Sequence, residues 1–201
     1  MITIVDYGMG NLGSIKNMFK RIGVPSIVTD DLETISNAKK LVLPGVGDFD
    51  HAMKKINGNG LRNLLDRKAL QERIPILGIC LGMQLLTRSS EEGQLPGLGW
   101  IKAAASRFPK ISDLKVPHMG WNLVSPVRES AICNNLPDET RFYFVHSFYV
   151  HVENEEDSIL KAHYGINFDA AIQHGNIFGA QFHPEKSHKF GKQFLTNFAS
   201  L

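Results

Sequence analysis

Four short, largely apolar runs punctuate the first half of the chain: residues 2–5, 26–29, 40–43 and 76–79. Between them the apolar positions recur with a helical period. Ile15, Met18, Phe19 and Ile22 share one face of a helix predicted over 12–22. Further helical patterns fill 51–56 and 61–71, and another stretch runs from Met83 to Leu86 behind the fourth run. Strands that are apolar at successive positions belong to sheets covered on both faces, and their alternation with helices predicts parallel pairing.

The second half has a different rhythm. From Trp100 to Val152 the pattern is one of strands and turns, clearest at 142–145 and 148–150. Residues 159–162, 169–173 and 177–181 read as further strands, and 189–199 as a closing helix. No linker, internal repeat or low-complexity tract interrupts the pattern. One α/β domain over 1–201, with an antiparallel extension, is the expectation.

Composition removes several function classes. The 201 residues carry 22 Lys+Arg against 20 Asp+Glu, a net charge of +2, with 43% hydrophobic and 21% charged residues. A chain of this length buries roughly 70% of its unfolded surface, enough to fold without disulfide or metal staples. Near-neutral charge leaves no electrostatic footprint for nucleic acid. The two cysteines, Cys80 and Cys133, fall in no CxxC or zinc-like spacing, and His174, His183 and His188 form no metal-ligand pattern. The opening residues Met1 to Asp6 lack the basic region of a secretion signal. The longest apolar stretch, 74–83, is broken by Pro75, Gly78 and Gly82 and falls far short of the ~20 residues of a membrane helix. A cytosolic protein with free thiols, bound to neither membrane nor metal, is expected.

Gly8-Met9-Gly10-Asn11-Leu12-Gly13 matches G-x-G-x-x-G between a strand and a helix, with Asp30 and Asp31 at a spacing suited to a ribose. Asp6 and Tyr7 intervene between the strand and the first glycine, and no second nucleotide-binding half follows. The glycines are therefore read as shaping a βα turn that lines some other site, not as a dinucleotide cradle.

Chemistry concentrates elsewhere. Gly78-Ile79-Cys80-Leu81-Gly82 carries the run 76–79 into a helical stretch, the thiol form of a nucleophile elbow. Such a turn pushes Cys80 outward and needs small residues two before and two after it. It also sets the thiol at a helix start, where partial positive charge favours the reactive thiolate. Past the last predicted strand come His183-Pro184-Glu185. On an extended segment alternate side chains share a face, so Glu185 can orient His183 as a general base. Leu43-Pro44-Gly45-Val46-Gly47 closes the third run, where a backbone N–H can meet a developing oxyanion beside that of Leu81.

At these residues the chain resembles the class I (triad) glutamine amidotransferases. Gly78 to Leu85 (G-I-C-L-G-M-Q-L) and the distal H-P-E carry that likeness. D-Y-G-M-G-N at 6–11, P-H-M-G-W-N at 117–122 and F-V-H-S at 144–147 resemble one branch, the glutaminase subunits of imidazole glycerol phosphate synthase. The resemblance covers nearly the whole chain. It implies a flavodoxin-like doubly wound, mostly parallel sheet that hydrolyses L-glutamine to glutamate and ammonia without a cofactor. Cys80 corresponds to the nucleophile, His183 to the acid–base and Glu185 to the acid behind it. Val46, Gly47 and Leu81 match the oxyanion region; Gln84, Ser147 and Phe148 match the glutamine pocket. Phe148 stands where relatives often carry Tyr, so a hydroxyl role is not carried over. Asn11 and Lys186 are expected at the contact with the family's partner, a (β/α)₈ cyclase subunit that receives the ammonia. A glutaminase serving another synthase, such as that of pyridoxal phosphate synthesis, shares the triad but not D-Y-G-M-G-N and P-H-M-G-W-N. A catalytically dead binding module would have no need of Cys80.

Overall fold

The computed structural model describes residues 1–110 and 114–201; residues 111–113, inside the stretch read as strands and turns, lie outside the described residues. The first half runs β1 (Ile2–Val5), α1 (Leu12–Arg21), β2 (Ser26–Thr29), α2 (Leu32–Ser36), β3 (Leu41–Gly45), α3 (Phe49–Asn57), α4 (Leu61–Asp66), β4 (Ile76–Cys80) and α5 (Leu81–Leu85). Then follow β5 (Ser89–Ser90), β6 (Ala103–Arg107), β7 (His118–Leu123), β8 (Ser125–Pro126), β9 (Arg141–His146), β10 (Phe148–Val152), β11 (Ser158–Tyr164), β12 (Ile166–His174), β13 (Ile177–Ala180) and α6 (His188–Ser200).

Eight strands form the main sheet in the order β2-β1-β3-β4-β13-β12-β11-β8. Pairing is parallel from β2 across to β13, and antiparallel from β13 to β8. This is the flavodoxin-like doubly wound sheet with an antiparallel extension. Alternation within its strands sends side chains to two apolar layers. Ile2, Ile4, Val42, Leu77 and Ile79 pack with α1 and α6, while Val5, Leu41, Leu43 and Ile76 pack with α2, α3, α4 and α5. Both faces are covered, which is why these strands read as unbroken apolar runs.

Helix ends follow local chemistry. Asp31 and Asp48 cap α2 and α3, each carboxylate accepting a backbone N–H three residues on. The helix predicted over 61–71 is α4 followed by a π-helical turn, Arg67–Gln71. That turn holds Lys68, 1% exposed, with its ammonium donating to the Ser36 carbonyl at 2.7 Å and to Glu72 at 2.6 Å.

Two smaller β units accompany the main sheet. One is β10-β6-β5; the other is the antiparallel ribbon β7-β9, in which His118 lies opposite His146 and Asn122 opposite Phe142. In β7 the usual polarity is inverted. Met119, Trp121 and Leu123 face water, whereas His118 is buried.

Candidate active site

The elbow forms as its sequence demands. Cys80 ends β4 at φ 55° and ψ −111°, a backbone conformation costing on the order of 1–3 kcal/mol for a non-glycine residue. A Cβ on Gly82 would lie 1.8 Å from the Leu43 carbonyl oxygen, and one on Gly78 would lie 2.5 Å from the Gly82 oxygen. Only glycine lets β4 turn this sharply against β3. Because Gly45 pairs with Cys80 across the β3–β4 ladder, the Pro44–Gly47 segment lies beside the thiol. The Tyr7 hydroxyl donates to the Pro44 carbonyl and pins that segment.

On the other side of β4 lies β13, which ends at Ala180, one residue before the predicted boundary. Phe182, fully buried, stacks on Phe142 with centroids 3.7 Å apart and anchors the following residues. The His183 backbone N–H donates to the Tyr143 carbonyl at 2.9 Å. The segment is not extended beyond that point, contrary to the sequence reading. Pro184–Lys186 forms a 3₁₀ turn, because proline's fixed φ suits the first position of a turn. The turn still joins the two side chains: His183 Nδ1 lies 2.8 Å from Glu185 Oε1, and both are almost fully buried.

His183 Nε2 and Glu185 Oε2 are buried without a hydrogen-bond partner among the described residues. Burial by itself would lower the His183 pKa. The neighbouring Cys80 sulfur and the Glu185 carboxylate, which binds Nδ1, outweigh it and raise the pKa well above its usual value. Its place between Cys80 and Glu185 thus favours the charged form of the imidazole.

These groups meet at a cavity of ≈ 340 Å³, a volume suited to a small amino acid. Cys80 and His183 line it, together with Val46, Gly47, Leu81, Gln84, Ser147 and Phe148. Lys186 stands at the same cavity, its ammonium 5.7 Å from the Tyr143 ring centre. Glu185 lies behind His183 and outside the lining. Asn11 is elsewhere: exposed, it caps α1, accepting from the Ser14 N–H at 3.4 Å.

Sequence reading missed several residues here. Glu92, Pro117, Val145 and His146 also line the cavity. Gln181 places its amide nitrogen 3.8 Å from the Cys80 sulfur, and Gln84 donates to the Phe148 carbonyl at 3.1 Å. The position of Gln181 directly before Phe182-His183 was the available signal. His118 and His146 stand in the motifs at 117–122 and 144–147, but only the pairing of β7 with β9 brings them together and buries them. Burial pushes the His118 pKa down to about 4. It pushes His146 to about 3, against a Phe148 carbonyl bond that works the other way.

Both histidines are therefore neutral in the folded chain at pH values where the unfolded chain protonates them. Their contribution to stability is complete above pH ~6.5 and is lost as pH falls toward 4. The expected slope is about 1.4 kcal/mol per pH unit for each histidine in that window. Thermal midpoints measured between pH 7 and pH 4.5 check this. Replacing His118 by Phe should flatten the acid limb, and an unchanged limb would refute it.

A cysteine at a sharp strand-to-helix elbow, a buried imidazole–carboxylate pair and a flavodoxin-like sheet together have the form of a class-I glutamine amidotransferase. The family model described as glutamine amidotransferase class-I matches residues 3–200. The imidazole glycerol phosphate synthase subunit HisH 2 of Methanococcus maripaludis is 52% identical over 198 residues, covering 98% of each chain. The protein of the same name from Pseudomonas aeruginosa is 48% identical over 201 residues and 100% of each chain. A solved structure, a glutamine amidotransferase from Thermotoga maritima, shares the fold at TM-score 0.67 and 18% identity, over 99% of this chain and 82% of that one. The chain belongs to the class-I glutamine amidotransferase family, in the HisH branch of imidazole glycerol phosphate synthase subunits.

Proposed function

We propose that this chain is the glutaminase subunit of an imidazole glycerol phosphate synthase. It hydrolyses L-glutamine to glutamate and ammonia. The ammonia passes to a (β/α)₈ cyclase subunit, which makes imidazole glycerol phosphate and AICAR from PRFAR in histidine biosynthesis. The observation that carries the reading is His183, bound to Glu185 at 2.8 Å and presenting an unpartnered, buried Nε2 in the cavity that holds Cys80.

In this reading the Cys80 thiolate attacks the side-chain amide carbon of glutamine. The oxyanion meets backbone N–H groups of Leu81 and the Val46–Gly47 segment. His183 gives its proton to the departing ammonia, leaving a γ-glutamyl thioester. It then takes a proton from water as that water attacks the thioester, and glutamate leaves with the Cys80 thiolate and the protonated imidazole restored. Glu185 keeps the imidazole oriented and stabilises its charged form. Gln84 and the Ser147–Phe148 backbone hold the amino-acid end of the substrate.

Exposed Met119 and Trp121 on β7, with Lys186 at the cavity mouth, supply an apolar and cationic face for the cyclase. Asn11 is proposed to join that contact from the start of α1. A biosynthetic role of this kind places the subunit in the cytoplasm; no helix among the described residues is long and apolar enough to cross a membrane.

Glutamate release measured with and without the cyclase and its ribonucleotide ligand tests the proposal. Release should be slow for the isolated chain and rise at least ~10²-fold in the liganded complex, as expected when a partner completes an oxyanion site. Fast release that the partner leaves unchanged would overturn it.

A further inference from the structure

The ribbon β7-β9 buries two imidazoles in direct contact: His118 Nδ1 lies 3.0 Å from His146 Nε2. Their protons can be placed by exclusion. The Phe148 carbonyl can only accept, so His146 Nδ1, 2.7 Å away, carries the hydrogen. A neutral His146 then accepts at Nε2, which requires His118 to donate from its own Nδ1. His118 Nε2 is left as an acceptor, and the Asn122 amide nitrogen supplies it at 3.3 Å. The second Asn122 hydrogen goes to the His163 carbonyl at 2.8 Å. Every member thus has one allowed orientation, and reversing any of them would set two donors or two acceptors face to face.

The far end of this chain is in the site. The Phe148 carbonyl also accepts from the Gln84 amide at 3.1 Å. The same Gln84 nitrogen lies 3.3 Å from Gln181 Oε1, and Gln181 reaches toward the Cys80 sulfur. His146, Phe148 and Gln84 all line the cavity. The His118 ring cannot tilt away, being stacked on Tyr164 at 4.0 Å and on Phe144 at 4.9 Å. Two neutral imidazoles are a costly way to fill a core that phenylalanines surround, unless the direction of their hydrogen bonds is used.

We infer that His118 and His146 are positioning residues that fix the Phe148 carbonyl and, through it, orient the Gln84 carboxamide toward the amino-acid end of bound glutamine. This inference rests on the glutaminase reading. It assigns the pair to substrate binding and not to the chemical step, so its signature lies in KM. His146→Phe keeps the ring and loses the donor. His146→Asn restores a donor near the Nδ1 position.

In the cyclase complex, His146→Phe should raise the glutamine KM on the order of tenfold with a smaller change in kcat, the loss expected when a fixing hydrogen bond is removed. His146→Asn should recover most of that loss, His118→Phe should raise KM less, and ammonium-driven turnover should be unchanged throughout. In ¹⁵N spectra of the complex at pH 7, both histidines should show a protonated Nδ1 and an unprotonated Nε2. An unchanged KM in folded His146→Phe, or equal damage by His146→Phe and His146→Asn confined to kcat, would overturn the inference. So would an Nε2-protonated His146. Should His146→Phe fail to fold, His118→Phe and the tautomer spectrum decide. A wild-type complex that releases no glutamate would instead sink the glutaminase reading, and the spectrum would still test the pair.

Discussion

Replacing Cys80 with serine is expected to reduce glutamine-dependent turnover of the complex by about 10⁴–10⁶-fold, the loss typical when a nucleophile is removed from a unit of coupled residues. Turnover driven by added ammonium should survive, because the cyclase site lies in another polypeptide. The contrast between the two nitrogen sources is the measurement. The Cys80 backbone conformation depends on Gly78, Gly82 and the β3–β4 ladder, not on sulfur, so the serine variant should fold and bind its partner. Loss of both activities would mean that Cys80 serves structure alone. Retention of both would remove it from the chemistry.

The second large effect falls on stability. Gly82→Ala would set a methyl carbon 1.8 Å from the Leu43 carbonyl oxygen, and the atom it meets is strand backbone that cannot rotate away. A loss of about 4 kcal/mol or more is expected, in the range reserved for overpacking at a site without slack. For a chain of this size that lowers Tm by roughly 10 °C, measurable by calorimetry on the isolated chain. Gly13→Ala is the opposite case. Its Cβ would meet nothing within 4 Å, and Gly13 lies inside α1. That change should stabilise by up to about 1 kcal/mol, the ordinary preference for alanine in a helix. Equal effects at the two glycines would contradict the geometry of the elbow.

What could be read from sequence was what local spacing controls. The parallel strands announced themselves because both faces are covered, leaving no polar alternation to disguise them. Cys80 was legible because G-x-C-x-G states a steric requirement within five residues. The geometry at His183 was read correctly in outcome but not in cause: a 3₁₀ turn, not an extended strand, brings Glu185 to it. Strands β6 to β8 were unresolved within a broad strand-and-turn region for a physical reason, and the two-residue β5 lies before that region and was not read. Ala103–Arg107 has little amphipathic contrast, and His118–Leu123 turns its apolar residues outward. Helix α2 is five residues held by an Asp31 cap, too short to show a period. Lys68 illustrates the same limit, for a lysine reads as surface until the Ser36 carbonyl and Glu72 close around it. Neither imidazole of the buried pair could be recognised before β7 and β9 were paired.

The glycines after β1 have a consequence for where this fold works. In doubly wound sheets the usual ligand crevice opens at the carboxyl ends of the two strands where the winding reverses, here β1 and β3. In this chain the glycine loop closes in on the end of β3. Gly10 approaches so closely that its absent Cβ would lie 3.3 Å from that of Pro44, while buried Tyr7 bonds to the Pro44 carbonyl. The motif that most resembles a nucleotide cradle packs against Pro44 at the end of β3, and the Cys80 thiol sits one strand further along, at the end of β4.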